Sequence, residues 1–333
     1  MSDIRKQDLP RICYLCKVSP QHYKRLDQAI LETRFDVRVH NYTYTVGNML
    51  EFKNRMRDAD LVYAWFASPW LGLMLSLIPK RVKLVLVAGG YDVANCEVLK
   101  HGARFHPIRG CLTRRVLARA DLVLPVSNYN QKEMLSWVTP KAYEVVYNSV
   151  DLPRFSLVPS AKRRSKVMTV GIIGEFISKC KGHYRFLEIA RRLPDCEFVL
   201  MGKPMDATVK RLRDLAPQNV RIVDYTSRAD MICELLSSSV YLQLSYYESF
   251  GVSVAEALYC GCYPIVSKGT ALEEIVQGQG ESVDADDTEA VVASVVNALE
   301  AELHRTIDVS RLSEVYSVSN RSERLIHLIS DLL

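Results

Sequence analysis

Short apolar runs alternate with longer amphipathic runs along most of the chain. From residue 11 onwards, the short runs are rich in β-branched and other apolar residues and predict strands, and most stretches between them have a helical pattern of apolar positions. Alternation of this kind is typical of a parallel sheet that is covered by helices on both faces. In the first half, strands are predicted at 11–18, 36–42, 60–66, 82–88, 121–126 and 143–147.

The alternation stops at "DLPRFSLVPSAKRRSKV", residues 151–167, and then starts again. Prolines and a basic cluster predict an exposed connector here; the cluster is Lys162, Arg163, Arg164 and Lys166. The second half has predicted strands at 167–173, 196–201, 220–223, 239–245 and 263–267, and helices at 182–193, 206–215, 228–237 and 251–260. The 333 residues therefore predict two doubly wound α/β domains, 1–155 and 156–310, and a last helix at 311–333 that we expect to pack back towards the N-terminal domain.

One uncharged stretch imitates a membrane span. "LVYAWFASPWLGLMLSLI", at 61–78, has 18 residues, which is the lower limit for crossing a bilayer. Ser68 and Pro69 in its middle form a helix-start signal, because serine caps helices and proline is tolerated at the first helical position. The stretch therefore predicts a buried strand at 61–66 and a helix at 69–78. The N-terminus "MSDIRKQDLP" is polar, and we expect no signal peptide.

Charge and cysteine content narrow the class of protein. The net charge is +5, from 43 Lys and Arg against 38 Asp and Glu, which fits an anionic ligand or a membrane surface and is too weak to indicate nucleic acid. The nine cysteines lie mostly in apolar runs, a pattern typical of reduced thiols in a cytosolic protein. Cys13 and Cys16 lie three apart in a predicted strand and so face opposite sides, which argues against a metal or redox pair.

Two glutamates flank a glycine turn at the end of a predicted strand, in "YLQLSYYESFGVSVAEALYCGCYPIVS", residues 241–267. Ligands of parallel sheets bind beyond the carboxyl ends of strands, and with two such domains the cleft between them is the expected site. Glu248 precedes the turn, and the amides of 249–252 can hold a phosphate or a sugar hydroxyl. Glu256 lies one turn into an apolar helix and needs donors, which ribose hydroxyls or an internal salt bridge would supply.

The first loop of the second domain, "GIIGEFISKCKGHYRF", combines glycines and lysines. Gly171 and Gly174 let a ligand approach the backbone, and Lys179 and Lys181 precede Gly182 at a helix start. A lysine beside a helix N-terminus suits a phosphate, and a solvated basic loop is the alternative. Neither this loop nor "AGGYDVA" has the G-x-G-x-x-G spacing, which argues against a nicotinamide-dependent dehydrogenase.

Metal-binding patterns are not found near these loops. "DADD", at 284–287, follows a short strand and precedes a helical run, so it predicts a helix N-cap and not a metal-binding D-x-D. His101 and His106 lie five apart in a loop, and no histidine pair has the spacing of a helical metal motif. We therefore expect no metal site.

The stretch "ESFGVSVAEALYCGCYPIVS" resembles the signature of retaining glycosyltransferases of family four, which carry two glutamates separated by seven residues on the GT-B fold. "VVYNSVDLPRF" (145–155) resembles the interdomain segment of those enzymes, "GEFISKCKG" their phosphate loop, and "AGGYDVA" the acceptor-side segment of their first domain. "ADLVLPVSNYNQKEM" resembles the strand and helix that follow, and "NVRIVDYTSRADMICELLSSS" the base-binding loop. The resemblance is strong over 85–283 and weak over the first 80 residues. It implies two Rossmann-like domains that face a cleft.

The resemblance implies roles for individual residues. Glu248 would contact the hydroxyls of the donor sugar, Glu256 would bind the ribose, and Lys181 would neutralise the diphosphate leaving group. Asp92 would lie across the cleft near the acceptor, so that Glu248, Lys181 and Asp92 are the candidate catalytic residues. Further donor contacts would come from the phosphate-loop Gly174, from the backbone of Ser249, Phe250, Gly251 and Val252, and, near the base, from Tyr225 and Thr226.

Two positions depart from the family pattern. The family commonly has an arginine directly after the phosphate-loop glycine, and this chain has Glu175, whose carboxylate would repel a diphosphate. Either Lys179 supplies the missing charge, or Glu175 turns away, or donor binding is impaired. The histidine that often precedes the Gly-x-Asp segment is replaced by Gly89, which weakens the case for a catalytic histidine at that place.

The resemblance implies a cytoplasmic glycosyltransferase that works with retention and without a metal or other cofactor. Its partners would be a nucleotide-diphosphate sugar and a hydroxyl acceptor, which could be a lipid-linked sugar, a polysaccharide or a small glycoside. A sugar-nucleotide epimerase on the same fold and a non-catalytic binder of sugar nucleotides or glycolipids are the alternatives. Weak contact with anionic membranes on the inner face is further predicted from Arg109, Arg114, Arg115 and Arg119, beside the apolar Leu112, Val116 and Leu117.

Overall fold

The computed structural model describes residues 9–17, 22–150, 164–301, 308 and 310–333. The chain divides into two compact units, of which the first is Met1–Ser149 with Tyr316–Leu333 and the second is Val150–Val315. Most of the predicted connector lies outside the described residues, including Lys162, Arg163 and the expected domain boundary at 155.

The first unit is built on a parallel sheet of five strands in the order β2-β1-β3-β4-β5. The strands are β1 (Arg11–Cys16), β2 (Asp36–Asn41), β3 (Leu61–Trp65), β4 (Lys83–Ala88) and β5 (Leu122–Pro125). Its first five helices are α1 (His22–Glu32), α2 (Val46–Arg55), α3 (Pro69–Met74), α4 (Pro107–Arg119) and α5 (Asn128–Leu135), with short 3₁₀ turns at Leu75–Leu77 and Ala103–Phe105.

The uncharged stretch at 61–78 is a strand followed by a helix, as predicted. All five residues of β3 are buried, because the strand is central in its sheet and covered on both faces. The hydroxyl of Ser68 accepts a hydrogen bond from the N–H of Leu71, and Pro69 is the first residue of α3, which confirms the helix-start signal. Among the described residues, no helix is both long enough and apolar enough to cross a membrane.

The second unit is built on a parallel sheet of six strands in the order β11-β10-β9-β6-β7-β8. The strands are β6 (Arg164–Val170), β7 (Glu197–Gly202), β8 (Val220–Asp224), β9 (Ser238–Gln243), β10 (Tyr263–Ser267) and β11 (Glu281–Val283). The helices are α6 (Glu175–Cys180), α7 (His183–Arg192), α8 (Thr208–Leu215), α9 (Arg228–Leu236), α10 (Val252–Tyr259), α11 (Leu272–Val276), α12 (Thr288–Glu300) and α13 (Ser310–Val315). The prediction of two doubly wound α/β units is confirmed.

The last helix, α14 (Val318–Leu332), belongs to the first unit. Its Arg321 is buried and forms a two-pronged ion pair with Asp27 of α1, at 2.7 Å from Nε to Oδ1 and 2.8 Å from Nη2 to Oδ2. Nη1 of Arg321 donates to the backbone carbonyls of Val146 and Tyr147. Tyr63 and Trp65 of β3 also donate to Asp27, at 2.7 and 2.9 Å. A fully buried polar cluster therefore attaches α14 to the sheet of the first unit.

The predicted strand at 143–147 is wrong. The structure has a single parallel bridge there, between Tyr143 and Val123. The neighbouring strand β5 ends at Pro125, which has no backbone N–H to donate, so the ladder cannot continue even though the N–H of Val146 still reaches the carbonyl of Pro125 at 3.0 Å.

Lys166 is a strand residue, and its assignment to an exposed connector is wrong. β6 begins at Arg164, and Lys166 within it is 4% exposed. Its ammonium lies 2.8 Å from Oε2 of Glu234, which offsets the cost of burying the charge. The partner comes from α9, far along the chain, so the local basic pattern could not show it.

Candidate active site

Two loops of the second unit are joined at the carboxyl edge of its sheet. One follows β6 and contains α6, and the other follows β9. The backbone N–H of Tyr246 donates to the carbonyl of Cys180 at 2.8 Å and ties the two loops together. Gly182 permits this approach, because its φ is +73° and a Cβ there would lie 2.0 Å from the carbonyl oxygen of Leu244. Lys181, next to this glycine, is therefore held against the loop after β9.

Lys181 and Glu248, both predicted as catalytic, are in direct contact. The ammonium of Lys181 pairs with Oε1 of Glu248. The Glu248 side chain is 11% exposed and that of Lys181 is 29% exposed, so the pair is mostly buried with the ammonium nearer to solvent. The hydroxyl of Ser245 also donates to Oε1 of Glu248, at 3.3 Å. The arrangement offers a cation to an anionic ligand and a carboxylate to hydroxyls beside it.

A chain of buried polar side chains runs behind this pair, and sequence analysis missed it. Gln243 donates to Oγ of Ser245 at 2.8 Å and to the carbonyl of Lys181 at 3.3 Å, and its own Oε1 lies 3.1 Å from the hydroxyl of Tyr241. Burial, with a further effect of the carboxylate of Glu248, raises the pKa of Tyr241, so its hydroxyl keeps the proton. Tyr241, Gln243 and Ser245 occupy alternate positions along β9 and just after it. This alternation of polar residues was the signal in the sequence that could have revealed the chain.

The glycine turn after Glu248 leads into α10. Gly251 has a φ of +111°, and a Cβ there would lie 2.4 Å from Cδ2 of Leu272, so the turn requires glycine. The side chain of Phe250 is buried, so its backbone is the part that could face a ligand. The N–H groups of Gly251 and Val252 have no acceptor among the described residues and are available to an anion.

Glu256 is buried in α10 and forms an ion pair with Arg228 at 2.9 Å. Arg228 begins α9, two positions after Thr226, which with Tyr225 is predicted to lie near the base. The hydroxyl of Thr226 donates to Asp230 at 2.5 Å, and the pKa of Tyr225 is raised by burial and by the nearby Glu256. Of the two partners left open for Glu256, the structure supplies an internal salt bridge. Arg228 was not predicted, although a cation in "YTSRAD" beside the predicted base site was the signal.

The predicted phosphate loop contains the short helix α6, which was not predicted. Glu175 and Lys179 lie one turn apart on it, with 3.9 Å between carboxylate and ammonium, and both side chains are more than half exposed. The N–H of Glu175 donates to Asp206 at 3.0 Å. Of the three alternatives for Glu175, the structure therefore matches a carboxylate turned to solvent and to Lys179. Of the two lysines, Lys181 is the one that reaches Glu248.

A buried histidine supports this loop, and sequence analysis missed it. Burial and the nearby Lys181 lower the pKa of His183 to about 3, so its imidazole is neutral. Its Nδ1 lies 3.1 Å from Oγ of Ser178, which accepts a hydrogen bond from the N–H of Gly174 at 3.3 Å. Gly171 leaves room for the ring, because a Cβ there would lie 2.9 Å from Nε2 of His183. The predicted donor residue Gly174 is thus fixed through Ser178 and His183.

Asp92, in the first unit, is buried at the carboxyl end of that unit's sheet. One carboxylate oxygen accepts the N–H of Ala67 and the other accepts the N–H of Gly90, both at 3.1 Å. The carboxylate therefore holds the loops after β3 and β4 together. At the neighbouring Gly89, a Cβ would lie 3.0 Å from ring atoms of Trp65 and Phe66, so the position that departs from the family pattern is already filled by aromatic side chains.

Replacing Asp92 by asparagine is expected to lower the free energy of unfolding by about 1.5–3 kcal/mol at neutral pH, because an amide nitrogen would face a backbone N–H. Burial raises the pKa of Asp92 from 3.8 to about 6. A raised folded-state pKa gives stability that is present below the unfolded pKa and is lost as pH rises through about 6. Urea midpoints should therefore depend less on pH between about 4 and 6 in this variant. Asp58→Asn, an exposed change, is the control, and equal pH dependence in both variants would contradict the expectation.

The remaining candidates do not form a metal centre. Among the described residues, no group of histidine, cysteine or acidic side chains could hold a metal ion. Asp287 of "DADD" accepts a hydrogen bond from the N–H of Ala290 at 3.0 Å and is the N-cap of α12, as predicted. All nine cysteines lie in the described part of the chain, and none of them forms a disulfide.

Two family models match the chain, one over each half. The model described as glycosyl transferases group 1 matches residues 158–310, and the one described as glycosyltransferase family 4 matches residues 18–154.

Curated relatives agree with these matches. The N-acetyl-alpha-D-glucosaminyl L-malate synthase of Bacillus anthracis is 26% identical over 300 residues, covering 84% of this chain and 75% of the relative. The GDP-mannose:cellobiosyl-diphosphopolyprenol alpha-mannosyltransferase of Komagataeibacter xylinus is 23% identical over 255 residues, covering 68% and 63%.

Solved structures share the fold. The crystal structure of HepE from Anabaena in complex with UDP and glucose has a TM-score of 0.74 at 14% identity, and covers 97% of this chain and 99% of that one. Sucrose-phosphate synthase from Thermosynechococcus elongatus has a TM-score of 0.78 at 14% identity, with the same coverage. These likenesses confirm the predicted GT-B fold.

Proposed function

This chain belongs to the group 1 glycosyltransferases and transfers a sugar from a nucleotide-sugar donor, and we propose that the transfer retains the anomeric configuration without a metal ion. The contact of Lys181 with Glu248 is the observation that carries the proposal. Without a metal, fixed positive groups of the protein must stabilise the charge that develops on the leaving diphosphate. Lys181 supplies one, and the N–H groups of Gly251 and Val252 at the start of α10 supply others.

In this proposal the acceptor hydroxyl attacks on the face from which the diphosphate leaves. The bond from the anomeric carbon to the phosphate oxygen breaks, the bond to the acceptor oxygen forms, and the hydroxyl proton moves to the leaving phosphate oxygen. The products are a glycoside and a nucleoside diphosphate. Glu248 holds the sugar hydroxyls, and Glu256, beside Arg228, binds the ribose, so the two glutamates are not a glycosidase pair.

The acceptor and the location are part of the same proposal. A lipid-linked sugar acceptor is supported by the Komagataeibacter relative, whose name specifies a diphosphopolyprenol-linked acceptor. A cytoplasmic enzyme with weak contact to anionic membranes would meet such a lipid. Two of the three apolar residues of the predicted membrane surface, Val116 and Leu117, are buried in the core, so this part of the prediction is wrong, whereas Leu112 is half-buried; on α4, Ile108 is the large apolar residue that is exposed. Binding of the intact protein to anionic vesicles at low salt tests this contact, and the absence of binding would refute it.

Lys181→Ala is expected to weaken binding of the donor's nucleoside diphosphate by roughly ten- to a hundred-fold, because a charge-assisted contact to phosphate is lost. Lys179→Ala is the matched control from the same loop. We expect little change there, because Lys179 and its partner Glu175 are both more than half exposed, so water screens that charge. Calorimetric titration of the intact protein with UDP and GDP measures both. Equal weakening in the two variants would show that Lys179 also binds the donor, and no weakening in either would refute the phosphate-binding role.

The alternatives are separated by turnover of nucleotide sugars with and without acceptor. Transfer to an acceptor with retention supports the proposal. Release of an epimerised nucleotide sugar without acceptor would identify an epimerase, and binding without turnover across a broad acceptor panel would identify a non-catalytic binder.

A further inference from the structure

A groove on the first unit is lined by cations that the proposed transfer step does not use. It has a volume of about 470 Å³, within the range typical of small-molecule sites. The side chains that bear on the argument are those of Arg104, His106, Cys111, Arg114, Arg115 and Trp137. The groove lies between one face of α4 and the residues that follow α5.

The sequence around this groove is strongly biased in charge. Residues 98–120 contain six lysines and arginines and no aspartate or glutamate. A single-signed cluster of this kind, on a chain whose net charge is only +5, concentrates positive potential at one place and attracts anions to it.

The arginines of α4 have different surroundings. Arg119 pairs with Asp121 at 3.0 Å, a carboxylate that it shares with Lys141. Arg114 and Arg115 are exposed, and within the described part of the chain neither side chain forms a hydrogen bond or an ion pair. Arg109, the fourth arginine of α4, is also exposed but does not line the groove, whereas Arg114 and Arg115 do.

Arg104 and Trp137 line the same groove and contact each other. Arg104 donates to the carbonyl of Glu133 at 2.6 Å and to Oγ of Ser136 at 3.1 Å, at the end of α5. Its guanidinium carbon lies 5.3 Å from the centre of the Trp137 ring, within cation–π distance. Glu133 interacts electrostatically with Arg104, and its pKa is raised by burial, but it does not line the groove.

Helix α4 presents its cations from a rigid face. Cys111, Arg114 and Arg115 lie three and four positions apart, so they share one side of the helix. Thr113, Val116 and Leu117 are buried, which fixes the rotation of the helix in the unit. Two consecutive arginines of this helix and the ring of Trp137 thus line one groove.

We propose that this groove binds an organic diphosphate ester, the anionic group that joins a lipid-linked acceptor to its lipid. The inference rests on the proposed function and names the acceptor class. Guanidinium groups match phosphate oxygens with two-pronged hydrogen bonds, and two adjacent ones suit two linked phosphates. The Trp137 ring offers apolar surface to the organic part, which inorganic diphosphate lacks. A membrane surface fits less well, because Val116 and Leu117, which follow these cations on α4, are buried, and Ile108 is the large exposed apolar side chain of the helix.

The test uses Cys111 as a reporter in the intact protein. Its thiol is exposed in the groove, and Cys233, also exposed, lies in the second unit and serves as an internal reference. Geranyl diphosphate is expected to slow alkylation of Cys111, measured by peptide mass spectrometry, and to leave Cys233 unaffected. Arg114→Ala or Arg115→Ala should raise the concentration needed for half-protection by roughly ten-fold or more, as expected for a lost charge-assisted contact. Arg109→Ala removes the same charge from the same helix outside the groove and should have no effect.

Several outcomes would overturn the proposal. The first is that geranyl diphosphate does not protect Cys111, and the second is that inorganic diphosphate or UDP protects it equally well. The third is that anionic phosphatidylglycerol vesicles protect Cys111 and geranyl diphosphate does not, which would assign the cations to a membrane surface. The assay contains no sugar donor, so a failure of sugar transfer leaves its result unaffected. Transfer to an acceptor while Cys111 stays unprotected would refute the groove and leave the proposed function standing.

Discussion

Glu248→Gln is expected to lower the rate of sugar transfer by about two to three orders of magnitude, the usual loss when one preorganised polar contact to a transition state is removed. The substitution keeps the shape of the side chain and an oxygen that can accept the hydrogen bond from Ser245, but it removes the charge that holds Lys181. Lys181 would then be free to take other positions, and the hydroxyls of the sugar would lose a carboxylate partner. Binding of the nucleoside diphosphate should change far less than turnover.

The fold should survive this substitution. The side chain of Glu248 is mostly buried, so some loss of stability is expected, but its partner Lys181 retains access to water and can be hydrated. Glu175→Gln makes the same chemical change on the exposed face of α6 and should leave the transfer rate unchanged. Near-normal turnover of a correctly folded Glu248→Gln enzyme would show that the predicted site is wrong.

Arg321→Leu is expected to lower the free energy of unfolding of the first unit by about 3–5 kcal/mol, because it leaves a buried carboxylate without its partner. Asp27 is fully buried, and Arg321 supplies two of its hydrogen bonds. Tyr63 and Trp65 would remain as donors to Asp27, but neither carries a charge. The two backbone carbonyls bound by Arg321 would also lose their donor.

Urea unfolding followed by tryptophan fluorescence measures this loss, since all three tryptophans, Trp65, Trp70 and Trp137, lie in the first unit. Arg324→Leu, on the same helix, removes a half-exposed arginine that pairs with Glu144, and should cost under about 1 kcal/mol. Adding Asp27→Asn to Arg321→Leu should recover part of the loss, because the unpaired charge is then gone. A loss in the double variant equal to the sum of the two single losses would contradict the explanation.

The sequence by itself determined the features that depend on neighbouring residues. Alternating strand and helix patterns predicted both parallel sheets, because the period of apolar positions reports which face of each element is buried. Ser68 and Pro69 separated a strand from a helix in a stretch that imitates a membrane span, and Asp287 capped α12, because caps act within one turn. The motif around Glu248 indicated the family and the edge of the sheet at which the candidate site lies.

Only the tertiary structure decided which side chains meet. Lys181 is paired with Glu248, Glu256 with Arg228, and Asp27 with Arg321, and in each case the partner comes from another element of the fold. Lys166 looked like a connector residue and is a buried strand residue, because its partner lies on α9. The groove of Arg114 and Arg115 likewise depends on the residues after α5. Local patterns report how one element is buried, whereas the partner of a charge is set by the packing of elements that are distant in the chain.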